Sequence, residues 1–389
     1  MVATSRPVEV FMFIDALGWE IVQRTGFMKD VLPERHPIRM QFGYSCSAIP
    51  TILTGKTPGE HGHLSAFRYD PEHSPFKKLD FMTSLLRPVS FWNRGRIRYY
   101  LSKFVKKCCG ITGYFQLYHV PFKKLKYMDY IEKKDMFLAG GMEQVENLRD
   151  VLDASGIKFH IADWHLNDEE NILLGRDAIQ NGCDFVFIYT AGLDGVLHAH
   201  VNEPQIIQQK LDWYDSLNRT LFKTGKDIHL TVFSDHGMTP LAYTVDVRAA
   251  VEETGLEFGK DYGVCYDSTM VRFNYLSPDS KEKIHKAMDP LEKHGRWLSP
   301  EDEKAYGIYR DDRYFGDEIF FMNVGIQVIP SDMGEHPLNG MHGFEPTDER
   351  SLAAVLSNVA IPDDVREVKD YFELMVSSIE EIKKSRKTQ

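Results

Sequence analysis

Cysteine is scarce in this chain, and its spacing is unpatterned. Cys46, Cys108, Cys109, Cys183 and Cys265 are odd in number and contain no C-x-x-C pair. That argues against a disulfide framework or a cysteine zinc site and fits a reducing compartment. No apolar run reaches the ~18–20 residues of a membrane span. The N-terminus lacks a basic start, an apolar stretch and a small-residue cleavage site, so no signal peptide is read. A cytoplasmic location is the expectation. Positive charge is also in deficit: the net charge of −11 argues against nucleic acid as a specific partner. Repeats and low-complexity segments are missing. What is present is an ordinary globular composition. Its 43% of hydrophobic residues suffices for a sizeable core and speaks against global disorder.

Strand-like and helical patterns alternate. Val8–Ile14, Phe185–Tyr189 and Ile228–Phe233 are apolar, β-branched runs of buried parallel-strand type. Met142–Ala154, Glu169–Asn181 and Pro204–Leu221 have helical periodicity between them. The alternation predicts an α/β fold, a three-layer sandwich with a mostly parallel central sheet. Phe320–Pro330 reads as a further strand. Asp348–Ser357 reads as a helix with Thr347 as its N-cap. The charged tail Ser378–Gln389 reads as a solvated helix end or a disordered end. The whole chain, 1–389, is taken as one domain with two cap-like insertions, 87–135 and 252–313.

In open α/β sheets, ligands bind beyond the carboxyl ends of the strands. Three strands here end in metal-binding residue types: Asp15; Asp194 with His198 four residues on; and the adjacent pair Asp235 and His236. His342 lies in the loop GMHGFEP. A single aspartate after a strand is ordinarily a turn or cap, and a single loop histidine is ordinarily inert. Six together are harder to dismiss. Three aspartates and three histidines make two mixed oxygen and nitrogen sites. These suit Zn²⁺, with Mn²⁺ as a substitute, better than Ca²⁺. Two ions ~3.5–4 Å apart can hold both the attacking and the leaving oxygen of a phosphoryl group. His61 and His63 read as loop histidines near the site, and His200 as a surface residue.

A nucleophile is sought in GYSCSAIPTILTGKTPGEHGH, where Ser45, Ser47, Thr51 and Thr54 are candidates. A serine hydroxyl is a poor nucleophile until activated, for which metal coordination suffices. Spacing alone does not choose among the four. Cys46 reads as a small buried hydrophobe.

These motifs together resemble the alkaline phosphatase superfamily, in its type I phosphodiesterase and nucleotide pyrophosphatase branch. The resemblance covers about residues 8–70, 183–240 and 315–346. It implies that Asp194, His198 and His342 hold one metal, and that Asp15, Asp235 and His236 hold the other. The family nucleophile lies ten residues before the glycine of the T-G pair, which from Gly55 is Ser45, itself a ligand of the second metal. The implied reaction is two in-line displacements through a phosphoserine. The sequence also departs from that branch. Cys46, Ser47 and Ala48 replace the usual Phe-Pro-Asn, and Ala66 stands where an asparagine binds a phosphate oxygen. Arg68 is a candidate substitute for that contact.

The segment Arg87–Met128 holds ten Lys or Arg residues, ten aromatic residues and no acid. RGRIRYYLSKFVKKCCG within it has the pattern of a basic amphipathic helix. Three roles fit: a cap that attracts an anionic substrate, a contact with an anionic membrane surface, or packing against the acidic remainder.

The expected activity is hydrolysis of a phosphodiester, with a phosphomonoester next. The alternatives are a phosphotransferase acting on a phospho-alcohol or lipid head group, and a catalytically silent binding protein of the same fold. A formylglycine sulfatase is disfavoured, because no arginine completes a C/S-x-P-x-R pattern around Cys46 or Ser47.

Overall fold

The computed structural model describes residues 6–83, 86 and 89–387. Arg87, where the first insertion begins, and the end of the charged tail at 388–389 lie outside the described residues. Six strands form the central sheet: β1 (Val8–Ile14), β2 (Glu34–Ile38), β3 (Phe159–Ile161), β4 (Phe185–Thr190), β5 (Ile228–Phe233) and β6 (Ala353–Ser357). Their spatial order is β2-β6-β5-β1-β4-β3. β1 pairs in parallel with β4 and β5, and β3 with β4. β6 runs antiparallel to both of its neighbours.

Every residue of β1 is buried, as its uninterrupted apolar run requires. Side chains alternate between the two faces of a strand. Val8, Val10, Met12 and Ile14 pack on one face with Ile21, Ile172, Leu193, Leu197 and Leu211 from four helices. Phe11 and Phe13 pack on the other face with Ala48, Ile52, Leu152, Tyr371 and Met375. The three layers follow from this alternation. The second face is aromatic. Phe11 stacks on Phe185 at 5.3 Å and Phe13 on Tyr189 at 5.2 Å, and Phe233 meets Tyr371 at 4.6 Å.

Two expectations are corrected. Asp348–Ser357 is not a helix, and Thr347 caps nothing; its hydroxyl bonds the Glu345 carboxylate at 3.3 Å. Residues 353–357 are strand β6, buried throughout. A five-residue apolar run has no periodicity that separates a buried strand from a buried helix. The free edges of β5 and β2 decide the matter. Phe320–Pro330 is not one strand either. Glu318–Met322 and Ile326–Val328 are separated by a turn at Gly325, whose φ is 82°, and they join different sheets. In the tail, the helix Asp370–Lys387 buries Tyr371, Met375, Ile379 and Ile382, so it is anchored rather than loose.

Tyr262–Tyr266, Met270–Tyr275 and Gly295–Trp297, all within 252–313, form an antiparallel sheet that Glu318–Met322 completes. The packed unit therefore extends past residue 313. In the first insertion, Met128–Tyr130 pairs with Phe67–Tyr69. Val105, Phe115, Phe122 and Tyr130 share a core with Phe67, Phe76 and Cys265. The two insertions thus pack on each other, above the carboxyl ends of the parallel strands. The expected basic helix is Gly95–Cys109.

Phe233→Ala should cost about 3–5 kcal/mol in unfolding free energy, as for other buried phenylalanines, measured by urea denaturation. A loss under about 1 kcal/mol would mean that the aromatic layer repacks and does not lock the sheet.

Candidate active site

The turns that leave the sheet bring the acidic and histidine side chains together. Asp15 follows β1, and its N–H donates to the Thr190 carbonyl at 3.0 Å. The next residue, Ala16, has a φ of 62°, a conformation that L-residues rarely adopt. It turns the chain so that its N–H donates to Asp235 Oδ1 at 3.3 Å. The turn passes so close to the loop after β5 that a Cβ on Gly18 would lie 2.6 Å from the Gly237 Cα. Only glycine fits there.

Asp194 and His198 sit four residues apart on the helix Gly192–His200, hence on one face. His198 Nε2 lies 3.3 Å from Asp194 Oδ2. His342 arrives from a separate segment, held by the short pairing of Gly340–Met341 with Thr239–Pro240. Its Nε2 is 3.7 Å from Asp194 Oδ1, and its ring stacks on His236 at 3.7 Å. His236 Nε2 lies 3.1 Å from Asp235 Oδ2 and 3.5 Å from Asp15 Oδ1. Two groups have ligand atoms close enough to share an ion: Asp194, His198 and His342, and Asp15, Asp194 and His236. Asp194 belongs to both. Asp235 stands beside the second group.

The outer nitrogens are fixed by the backbone. His198 Nδ1 bonds the Gly340 carbonyl at 2.8 Å, and His236 Nδ1 the Gly237 carbonyl at 2.9 Å. Each Nε2 therefore faces the cluster as the free nitrogen, the arrangement that orients a metal-binding histidine. Asp15 Oδ1, Asp194 Oδ1, Asp235 Oδ2 and His342 Nδ1 are buried without a hydrogen-bond partner among the described residues. Burial, together with the charges of Asp235 and Asp194, pushes the Asp15 carboxyl well above the usual carboxylate range. Burial pushes the His342 imidazole well below its usual range. Burial opposes ionisation of Asp194 too, but the His198 hydrogen bond and the His342 charge outweigh it and hold this carboxyl low. Orphaned carboxylate oxygens beside correctly oriented imidazoles fit divalent cations in chemistry and in number of donors.

Ser45 opens the helix Ser45–Thr54, so its hydroxyl stands where the positive end of the helix faces the cluster. Its Oγ is 3.1 Å from His236 Nε2. The other candidates are engaged elsewhere. Ser47 Oγ donates to the Phe42 carbonyl and Thr54 Oγ1 to the Pro50 carbonyl. Thr51 Oγ1 donates to the Ser47 carbonyl and contacts His61 Nε2 at 3.0 Å. His61 is thereby a buried structural residue, and His200 pairs with Glu203 at the surface. Burial pushes the Cys46 thiol far up, away from the thiolate form that reacts.

Arg68 does not reach the site. Its guanidinium is held by Asp70 at 2.6 Å and Asp129 at 3.0 Å, and it lies over the Tyr314 ring. Two carboxylates satisfy the charge that a phosphate would otherwise use.

A cavity of about 410 Å³ opens beside the cluster, lined by Asp15, Ser45, Asp194, His198 and His342 on one side. The first insertion supplies the other side, chiefly Tyr114, Tyr118, Tyr130 and Glu132, with Phe137 and Trp164 beyond it. No Lys or Arg is among the lining residues. The insertion therefore caps the site with aromatic rings, and none of its cations among the described residues lines the cavity. Arg98 is buried; its guanidinium donates to the carbonyls of Leu117, Tyr118 and Val120 and to Asn93 Oδ1. It braces the cap and offers no charge to a substrate. Sequence reasoning missed Glu132 and Tyr189 as lining residues. Glu132 lies just beyond the acid-free run, and Tyr189 reads as an ordinary strand residue, so neither is marked by a pattern.

No curated protein matches the chain by sequence. Among solved structures, murine ectonucleotide pyrophosphatase / phosphodiesterase 5 is similar over 96% of this chain and 95% of its own, with a TM-score of 0.67 and 12% identity. An inactive form of the murine protein, in complex with AMP, matches with a TM-score of 0.66 and the same coverage. The human protein matches with a TM-score of 0.67 at 11% identity, over the same shares of the two chains. At such identities the likeness establishes the fold. Residues 10–345, nearly the whole chain, match a family description, and on that match the protein belongs to the type I phosphodiesterase / nucleotide pyrophosphatase family.

Proposed function

We propose that the protein is a metal-dependent phosphodiesterase that acts through a phosphoserine on Ser45. In this reading Asp194, His198 and His342 hold one divalent ion, Zn²⁺ or Mn²⁺, and Asp15, Asp235, His236 and Ser45 hold a second. The observation that carries the reading is the clustering of six donor side chains, of which Asp15, Asp194, His198 and His342 line one cavity together with the otherwise unengaged Ser45 hydroxyl. When bound, the ions supply positive charge that favours an ionised hydroxyl and neutralises the phosphoryl oxygens.

The chain's own groups account for the rest. Ser45 Oγ, its proton passing to solvent, attacks phosphorus; the bond to one ester oxygen breaks, and that alcohol leaves with a proton. Water then attacks the phosphoserine. The Oγ–P bond breaks, the monoester departs and Ser45 regains its proton. The N-terminal end of the Ser45–Thr54 helix favours the negative charge that builds up on the phosphoryl oxygens. The aromatic cavity excludes water around the ester group and holds it in line. Family membership supports a hydrolase of this class, and the AMP bound by the inactive murine neighbour supports an anionic phosphoester as ligand.

Ser45→Ala should lower turnover of a nitrophenyl phosphodiester by at least about 10³-fold, with the unfolding midpoint unchanged, while Ser47→Ala keeps most of its turnover. The reverse pattern would move the nucleophile by two residues. Metal-free protein should be inactive on the same ester and recover when Zn²⁺ or Mn²⁺ is returned. Full turnover in a sample shown by elemental analysis to hold no metal would overturn the reading, and metal binding without turnover of any phosphoester would favour a silent binding protein.

A second reading concerns location. The outward face of the Gly95–Cys109 helix presents Arg96, Tyr99, Tyr100, Lys103, Phe104 and Lys107, all exposed. Their spacing of three and four residues makes one stripe. None of its cations has a carboxylate at ion-pair distance among the described residues. Cations and aromatic rings on one helical face suit an anionic lipid surface, to which a cytoplasmic protein would attach peripherally. The protein should co-sediment with vesicles containing phosphatidylglycerol and not with phosphatidylcholine alone, and a Lys103→Glu, Lys107→Glu double variant should stay in the supernatant. Wild-type protein left in the supernatant with both vesicle types would end this reading.

A further inference from the structure

The helix Gly192–His200 carries two of the cluster's donors, Asp194 and His198, yet it has no cap of its own. Its N-cap residue, Ala191, offers no side-chain acceptor. The amides of a first helical turn need partners nonetheless. Here they find one in Asp168, 23 positions earlier, at the start of the helix Asp168–Gln180. Asp168 Oδ1 accepts the Ala191 N–H at 3.0 Å and the Gly192 N–H at 3.2 Å. Its Oδ2 lies 3.1 Å from the Gly192 nitrogen, accepts the Tyr214 hydroxyl at 2.6 Å and meets Lys210 Nζ at 3.3 Å. A Cβ on Gly192 would stand 2.3 Å from Oδ2, so the contact admits only glycine. Tyr214 is fully buried, and both it and Lys210 belong to the helix Pro204–Asn218. Three helices thus meet on one carboxylate.

Asp168 does not line the cavity and belongs to neither group of residues that could share an ion. Its oxygens are already engaged. It acts on the cluster through the helix that it caps. Asp194 is the third residue of that helix and the donor common to both groups, so fixing the Ala191 and Gly192 amides fixes the turn from which Asp194 projects. Charge adds to geometry. The N-terminal end of a helix carries roughly half a unit of positive charge, which would repel a cation drawn to Asp194. A carboxylate on the leading amides offsets that repulsion, and Lys210 balances part of its charge while holding it in place. Where only a hydrogen bond is needed, this fold uses a neutral cap: the neighbouring Asn167 Oδ1 accepts the Glu170 N–H at 3.0 Å.

We propose that Asp168 is a positioning residue for the metal cluster: by capping the helix that carries Asp194 and His198, it aligns the shared donor and raises the affinity for divalent ions. The inference rests on the metal-dependent reading of the cluster and is independent of which ester is cleaved.

The test measures Zn²⁺ affinity of the full chain by competition with a chromophoric chelator, beside turnover of a nitrophenyl phosphodiester and the unfolding midpoint. Asp168→Asn keeps an acceptor for the amides and loses the charge. It should weaken Zn²⁺ binding by about 10-fold or more. Turnover should fall at limiting Zn²⁺ and return to within about threefold of wild type at saturating Zn²⁺. Asp246→Ala is the control, because it removes the side-chain cap of the helix Val247–Glu252 in the second insertion. It should lower the unfolding midpoint and leave Zn²⁺ affinity as in wild type. Zn²⁺ affinity in Asp168→Asn within about threefold of wild type, or an equal weakening in Asp246→Ala, overturns the proposal. If Asp168→Asn does not fold, Tyr214→Phe decides. It deletes one hydroxyl, leaves every charge in place and should weaken Zn²⁺ binding by about threefold or more; unchanged affinity there overturns the positioning role. A wild type that binds neither Zn²⁺ nor Mn²⁺ fails the metal reading and takes the inference with it, whereas equal binding by wild type and Asp168→Asn fails the inference alone.

Discussion

Three carboxylates crowded together at one end of the sheet are the constraint around which this molecule is organised. Asp15, Asp194 and Asp235 come from the ends of three neighbouring parallel strands and are drawn into a space where none can be fully solvated. Like charges so placed repel, and burial raises the cost of ionising each. Three imidazoles from three segments crowd against them, two oriented by backbone carbonyls. The rest of the fold holds these groups where they are. The aromatic layer beneath β1, β4 and β5 fixes the strand ends. The contact between Gly18 and Gly237 sets the separation of two loops. The pairing of 340–341 with 239–240 delivers His342.

The cap answers a different requirement. In the proposed reading the Asp/His cluster would recognise a phosphoryl group but not what is attached to it. Selectivity must come from the opposite wall, which the first insertion builds. That insertion has two unlike surfaces. The wall it turns to the cavity is aromatic with Glu132 among the rings, and its exterior is cationic. Arg98 ties them together, since it leaves the outer helix to bond the turn that carries Tyr118 into the cavity.

The parts legible in the sequence were those with a local signature. β1, β4 and β5 are uninterrupted apolar runs closed by an acid, and Asp194 and His198 share a helical face by spacing alone. The choice of Ser45 over Ser47 needed the family spacing, because two serines one residue apart look alike until one hydroxyl is seen to bond the Phe42 carbonyl. Strand β6 was misread because its identity depends on the vacancy between β5 and β2, which is a property of the sheet. Arg68 was misread for a related reason. Whether a guanidinium is free depends on acids distant in the chain, here Asp129. Glu132 is invisible for the same cause, since an acid becomes notable only when the fold shows it buried at a cavity wall.

The position of β6 also dictates an order of assembly. β2, at residues 34–38, has a single neighbour in the sheet, and that neighbour is formed by residues 353–357. β2 therefore waits for a strand made about 300 residues later, and until then β5 also lacks the partner on that flank. The loop closed by this pairing is nearly as long as the chain, so its entropy must be met after the rest of the sheet has formed. During that interval an unpaired strand edge is open to other chains. Polar and charged side chains along Glu34-Arg35-His36, exposed or half-buried in the finished fold, keep that waiting edge from being an attractive one.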